Sequence, residues 1–270
     1  VAFEPGDTHE ECYGVAFDIG TTTVVGSLLH LCSGRELAIA SRMNPQVNFG
    51  DDVVSRIQRA GESPSDLTAL RDVIGKALRE MVAELANMAK VKPASLYEVT
   101  IAGNTTMEHL LCGMDVTQLG HVPFVPVFAR GLLLPERDLH LGIARRGSAY
   151  VFPVIGGFVG GDTVACILAT ELDRPTDEPV LLMDIGTNGE IVLAHGEKLY
   201  AASTAAGPAF EGARISCGMR ATRGAVEKVV FGDALHAGVI ANAEPVGVCG
   251  SGLIDLAAEC LRAGVISQEG

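Results

Sequence analysis

A chain of 270 residues with 48% hydrophobic and 20% charged residues has enough apolar material for one large domain or two modest ones. The net charge of −13, with no basic run longer than Arg145-Arg146, excludes a surface built to neutralise nucleic-acid phosphates. No apolar run approaches the roughly 18 residues of a membrane span, and the acidic first residues do not form a signal peptide.

Residues 1–12 read as a linker remnant, and the chain as a whole as a fragment of a longer protein. Tyr13 to Ile19, Val24 to Leu31 and Glu36 to Arg42 are rich in β-branched residues and predict three consecutive strands, with turns at Gly20-Thr-Thr and Ser33-Gly34. A short helix is expected from Val53 to Ala60. Apolar residues at Leu67, Leu70, Ile74, Leu78, Met81, Leu85 and Met88 recur in steps of three and four, which predicts a long amphipathic helix over Asp66 to Lys90, capped by Ser65 or Asp66. A strand over Tyr97 to Ala102 then leads through Gly103-Asn104-Thr105 into a helix, Thr106 to Cys112.

Residues from about 113 to 147 have no sustained period and form either a substrate-side insertion or a long connection. Regular structure resumes with a strand at Tyr150 to Ile155, the glycine-rich Gly156 to Asp162, and a helix over Thr163 to Leu172. The pattern divides the chain into lobes at 13–173 and 174–270. The second lobe opens with a hairpin at Val180 to Val192, followed by a strand over Lys198 to Ser203 and a glycine-rich entry at Gly207 to Gly212. A further hairpin over Ala225 to Ile240 and Gly250-Ser-Gly before a helix, Leu253 to Leu261, complete it.

The tetrapeptide Asp-Ile-Gly-Thr occurs twice, at Asp18 to Thr21 and at Asp184 to Thr187, each time between apolar runs. Glycine and small hydroxyl residues in such a turn let backbone N–H groups approach phosphate oxygens, and a strand-terminal Asp can hold Mg²⁺ through water. Gly20, Thr21, Thr22 and Thr23 in the first turn, and Gly186, Thr187, Asn188 and Gly189 in the second, are therefore candidate phosphate contacts, with Asp18 and Asp184 as candidate Mg²⁺ ligands. Gly250, Ser251 and Gly252 open a helix whose free N–H groups could meet a nucleotide, or they are a plain strand-to-helix turn. Seven scattered cysteines without a C-x-x-C pair read as reduced thiols in a cytoplasmic protein and do not space out an iron–sulfur cluster. His109 and His121 lack metal-ligand spacing and are expected in core or surface roles.

The order of these motifs resembles the actin, heat-shock chaperone and sugar-kinase superfamily from Tyr13 onward. The resemblance implies an α/β fold of two actin-like (ribonuclease H-like) lobes, each a mixed sheet flanked by helices, with a nucleotide cleft between them. Asp18 to Thr23 and Asp184 to Glu190 are similar to its two phosphate motifs, Val159 to Thr170 to its first connecting helix, and Gly247 to Leu253 to its adenosine motif. The second connecting helix is missing from the pattern, as in a C-terminal truncation.

Longer strings narrow the likeness: Asn44-Pro-Gln, Gly50-Asp-Asp-Val-Val-Ser-Arg-Ile, Val99-Thr-Ile-Ala-Gly-Asn-Thr-Thr-Met, Gly156-Gly-Phe-Val-Gly-Gly-Asp and Ile215-Ser-Cys-Gly-Met-Arg-Ala. They resemble the ATP-dependent reductive activators of corrinoid proteins. That branch implies ATP and Mg²⁺ as cofactors, a corrinoid protein as partner, and a [2Fe–2S] cluster in an N-terminal domain that this chain lacks. It also implies a role as ATPase in the uphill reduction of cob(II)amide to cob(I)amide. Gly161-Asp-Thr-Val-Ala resembles the segment that holds the catalytic Asp in hexokinase-like kinases, which makes Asp162 the candidate catalytic carboxylate, with helix capping as its alternative. Gly207 and Glu211, in Gly207-Pro-Ala-Phe-Glu, are candidate contacts to the adenosine half of the nucleotide. Glu190 is either part of the Mg²⁺ shell or solvent-facing, and Asn104 and Thr105 either face the cleft or cap their helix. A small-molecule kinase and a nucleotide-switched assembling protein are the other functions compatible with the pattern, and a homodimer stays open.

Overall fold

The computed structural model describes residues 6, 8, 11–186, 188–205, 215–232 and 235–267. It divides into two compact units, with the boundary between Thr176 and Asp177.

The first unit is built on a six-stranded sheet in the order β3-β2-β1-β4-β6-β5. Strand β1 (Tyr13–Ile19) alternates so that Val15, Phe17 and Ile19 are buried, while Asp18 faces out. It pairs antiparallel with β2 (Thr23–His30), which pairs antiparallel with β3 (Arg35–Met43). Two helices then cross over. Helix α1 (Val53–Glu62) starts with a capping box in which Asp52 accepts from the Ser55 N–H at 2.8 Å. Helix α2 (Pro64–Ala89) is capped by Ser63, whose hydroxyl accepts from the Asp66 N–H, and not by Ser65 or Asp66. Pro64 decides this: without an N–H it suits the first helical position, which puts the cap one residue earlier.

The apolar stripe of α2, including Leu70, Ile74, Leu78, Met81 and Leu85, is fully buried in the core of this unit. Each such side chain contributes about 1.5–3 kcal/mol of burial. Strand β4 (Leu96–Gly103) returns parallel to β1 and is followed by α3 (Thr105–Leu111), every residue of which is buried.

The aperiodic stretch contains a turn of 3-10 helix, Thr117–Gly120, then β5 (Leu132–Pro135) and one turn of helix, α4 (Glu136–Leu139). It supplies the edge strand of the sheet, β5 running antiparallel to β6 (Ser148–Val151). The expected strand at Tyr150 to Ile155 ends early: the Phe152 N–H still bonds Ile101 O, but Pro153 has no N–H with which to continue. Helix α5 (Gly161–Ala169) begins two residues before the expected start.

The second unit is sparser. Strands β7 (Thr176–Ile185), β8 (Asn188–Gly196) and β9 (Lys198–Ala205) form one three-stranded sheet. A second sheet, in the order β11-β10-β12, is made of β10 (Ala225–Phe231), β11 (Leu235–Val239) and β12 (Gly247–Val248). The described residues thus carry two small sheets where the sequence reading expects one. Helix α6 (Gly250–Arg262) packs on β10, and its carboxylates bind that strand directly. Asp255 accepts from the Val229 N–H at 3.2 Å, and the buried Glu259 accepts from the Phe231 N–H at 2.9 Å. Among the described residues no helix is long and apolar enough to cross a membrane.

Candidate functional site

Strands β1, β4 and β6 run parallel, so their carboxyl ends share one edge of the sheet, the usual position of ligand sites in α/β folds. Asp18 lies there beside Ala102, with its side chain exposed. The next residues make the first turn, closed by Gly20 N–H to Thr23 O at 2.9 Å. A Cβ on Gly20 would sit 2.8 Å from Thr23 O, so only glycine lets the turn close this tightly.

All three carbonyls of the turn are held from behind. Asn44 Nδ2 donates to Gly20 O at 2.8 Å, Arg56 Nη2 to Thr21 O at 2.6 Å, and the Asn44 backbone N–H to Thr22 O at 2.9 Å. In a trans peptide the N–H points opposite to the C=O. Anchoring the oxygens of Gly20 and Thr21 therefore turns the N–H groups of Thr21 and Thr22 the other way. Neither N–H forms a hydrogen bond among the described residues. Two adjacent outward N–H groups beside a carboxylate form a cradle for a phosphate and its cation.

The anchors are themselves rigid. Asn44 is fully buried and its Oδ1 accepts from the Gln46 N–H at 3.0 Å. Arg56 is also fully buried, donating additionally to Gly50 O at 2.9 Å and lying 3.1 Å from Met107 Sδ. Burial pulls its guanidinium down to about 10, with Asp52 and Asp51 opposing, so it stays charged at neutral pH. Both stand in the longer strings that carry the family likeness, but neither is assigned a role from the sequence. The available signal was an arginine on the buried stripe of α1, in register with Val53, Ile57 and Ala60.

Asn104 takes the capping role and also braces the first turn. Its Oδ1 accepts from the Met107 N–H at 3.1 Å, capping α3, while its Nδ2 donates to Thr21 Oγ1 at 3.0 Å. Thr105 is buried and donates to Gly156 O at 2.6 Å. Gly160 presses onto this junction so closely that a Cβ would lie 2.6 Å from Asn104 Cα and Gly103 O.

This contact corrects the capping alternative for Asp162. The N-cap of α5 is Gly160, and Asp162 lies inside the first turn, its Oδ1 accepting from its neighbour's Thr163 N–H at 2.7 Å. The structure thereby gathers the first turn, Asn104 and Asp162 at one sheet edge. Glu108 joins them from below. It is fully buried, neither carboxyl oxygen has a hydrogen-bond partner, and a Cβ on Gly161 would collide with it. Burial, then the charge of Asp162, pushes its pKa up to about 9, with the Gly103 N–H drawing it partly back.

His109 is a core residue. Nδ1 lies 2.7 Å from Thr105 O, Nε2 accepts from the Val127 N–H at 3.0 Å, and the ring stacks on Phe128 at 4.2 Å. Those bonds require the neutral tautomer protonated on Nδ1. His121 is exposed, near Thr117 O.

In the second unit Asp184 ends β7 half-buried, and Gly186 N–H bonds Asn188 O at 3.1 Å. Asn188, Gly189 and Glu190 open β8, and Glu190 Oε1 accepts from Ser203 Oγ of β9 at 3.0 Å. Thr187, Gly207 and Glu211 lie outside the described residues. Gly250, Ser251 and Gly252 form the first turn of α6 instead of preceding it. Cys249 is the N-cap, Gly252 packs on Val226 O and Ser251 is exposed. Asp184 thus lies on β7 of one sheet, while Gly250 opens a helix packed on β10 of the other. Among the described residues no three His, Cys, Asp or Glu side chains gather as a metal site. A single carboxylate at each turn still fits Mg²⁺, which is commonly held by one or two carboxylates with water and phosphate oxygens.

Residues 13–175 match the family described as the RACo middle region, and residues 178–270 match the C-terminal domain of RACo, the ASKHA domain. The chain belongs to the RACo family. The corrinoid activation enzyme RamQ of Eubacterium limosum is 40% identical over 272 residues, covering all of this chain and 45% of that protein. A [Co(II) methylated amine-specific corrinoid protein] reductase of Methanosarcina barkeri is 28% identical, over 79% of this chain and 40% of its own length. The solved structure of a reductive activator for corrinoid, iron-sulfur protein superposes with a TM-score of 0.89 at 38% identity, over 97% of this chain and 42% of that one. The fold is therefore the α/β, actin-like fold of this family, and the chain spans less than half the length of the relatives it matches.

Proposed function

We propose that this chain is the ATP-binding and ATP-hydrolysing portion of a reductive activator that returns an inactive cob(II)amide corrinoid protein to cob(I)amide. The observation that carries the nucleotide reading is the first turn, with its carbonyls anchored by Asn44 and Arg56 and the Thr21 and Thr22 N–H groups turned outward. The names of the relatives, each referring to corrinoid activation or to a corrinoid protein, support the choice of partner. Each Asp-Ile-Gly-Thr turn would offer backbone N–H groups to phosphate oxygens, and Gly250 to Gly252 would offer helix N–H groups to a nucleotide. Asp18 and Asp184 would hold Mg²⁺, which when bound neutralises phosphate charge.

In hydrolysis Asp162 takes a proton from water as the water oxygen bonds to the γ-phosphorus. The β–γ bridging bond breaks, and its electron pair leaves with ADP. The electron that takes Co(II) to Co(I) would be supplied by a low-potential iron–sulfur donor, with the hydrolysis driving the uphill transfer. The proposed setting is the cytoplasm, where thiols stay reduced, as are all seven cysteines here.

The test mixes the full-length protein, a reductant, a cob(II)amide protein and Mg-ATP, and follows the cob(I)amide absorption. Cob(I)amide formed with ATP and not with a non-hydrolysable analogue supports the reading. A phosphorylated small molecule from labelled ATP, without corrinoid reduction, would replace it with a kinase. Nucleotide-dependent growth in light scattering would replace it with an assembling switch.

A further inference from the structure

Glu108 is a buried group that the hydrolytic reading does not use. Its helix α3 is wholly buried, its carboxyl lies against the Cα of Gly161, and neither oxygen is hydrogen-bonded. Asp162 is the next residue along. Asp162 is half-buried and makes no hydrogen bond to Glu108, but its charge acts on the fully buried carboxyl, which favours the neutral form of Glu108.

We propose that Glu108 is a positioning residue for Asp162: Glu108 keeps its own proton and stays neutral in its buried place under Gly161, so that Asp162 is the ionised base. The proposal rests on the assignment of Asp162 to hydrolysis. It explains why the carboxyl tolerates a site where even the nearby Gly103 N–H makes no full hydrogen bond to it, since a neutral acid costs far less to bury than a charged one. It also explains the glycine at position 161, where a Cβ would collide with the Glu108 carboxyl. The groups acting on Glu108 from its surroundings are Asp162 of α5 and the Gly103 N–H of β4. Cys112, one turn along its own helix, is pushed up by burial and by Glu108, and Arg71 of α2 opposes that shift. No cation among these stabilises the ionised form of Glu108. During turnover the proton of the attacking water goes to Asp162, and the proton on Glu108 stays in place. Ionisation of Glu108 places a second negative charge beside the base and displaces it.

The experiment measures ATP hydrolysis against pH in the full-length protein and in Glu108→Gln, together with the infrared band of the buried protonated carboxyl. Wild-type turnover is expected to fall about tenfold as pH rises through the ionisation of Glu108, while Glu108→Gln keeps its rate within about twofold there and leaves KM for ATP unchanged. The infrared band is expected at neutral pH, absent from Glu108→Gln, and titrating at lower pH in Asp162→Asn, where the opposing charge is gone. An alkaline limb identical in Glu108→Gln, or a band whose titration ignores Asp162→Asn, would overturn the proposal. Full turnover in Asp162→Asn would instead overturn the hydrolytic role of Asp162. The infrared titration needs no turnover and decides the pairing separately, including in the event that Glu108→Gln does not fold.

Discussion

The two Asp-Ile-Gly-Thr turns share four residues and little else. The first is closed by Gly20 N–H to Thr23 O, braced by Asn44, Arg56 and Asn104, and backed by a six-stranded sheet. The second is closed one residue shorter, Gly186 N–H to Asn188 O. It sits on a three-stranded sheet whose β7 leaves Leu181, Met183 and Ile185 more than half exposed. The tetrapeptide therefore sets the sharp reversal after a strand-terminal Asp. Its stiffness comes from groups 24 to 83 residues away in the chain.

The widest separation of the two turns is expected from their carboxylates. Asp184→Ala should abolish Mg²⁺-dependent nucleotide binding or hydrolysis with little loss of fold, because the residue ends a strand without anchoring one. Asp18→Ala, exposed at the end of β1, should do the same. Hydrolysis by a folded Asp184→Ala protein at the wild-type rate would remove the second turn from the site.

Arg56→Met probes the brace that only the first turn has. It strands the carbonyls of Thr21 and Gly50 and is expected to cost about 3–5 kcal/mol in denaturant unfolding. Arg56→Lys should recover only part, because a single ammonium cannot reproduce the fork. A loss below about 1 kcal/mol would mean that the turn holds its shape locally.

Titration probes the first unit alone, since Glu108 and His109 both belong to it. Glu108 ionises near 4.5 when unfolded and at about 9 when folded, so its contribution is complete below 4.5 and is lost as pH rises toward 9. Glu108→Gln should therefore gain stability over the wild type by about 1 kcal/mol per pH unit across that window. Burial lowers His109 below its ordinary 6.5, so its contribution is present above 6.5 and is lost as pH falls through and below that value. Thermal unfolding of wild type and Glu108→Gln from pH 5 to 9 reads the slopes, and parallel curves would refute the assignment.

The smallest effect compares the glycines directly. Gly20→Ala puts a Cβ 2.8 Å from Thr23 O and should cost about 1–3 kcal/mol. Gly186→Ala meets Asn188 O at 3.4 Å and should stay within about 0.5 kcal/mol. Equal costs would erase the distinction between the turns.

Local signals are legible in the sequence itself. Alternation in Tyr13 to Ile19, the three-and-four spacing of α2 and the glycine-bearing reversals are short-range patterns, and the strands and helices they predict occur within a few residues of expectation. Their errors are also local in cause. Pro64 moves one cap, Pro153 ends a strand, and Gly160 takes the capping position from Asp162 because it must pass close to β4.

The candidate site was half legible. Asp18, Asp162 and Asp184 stand out because each adjoins glycines in a strand or helix boundary. Asn44, Arg56 and Glu108 do not, because what matters about them is burial and the identity of a distant partner. The sequence alone determined that two Asp-Ile-Gly-Thr reversals exist and where the elements around them begin, since backbone preference and apolar spacing act over a few residues. Only the tertiary structure decided that one reversal is clamped by a buried guanidinium and two asparagines, and that a buried acid lies beneath Asp162. Those facts depend on which parts of the chain close packing excludes from water.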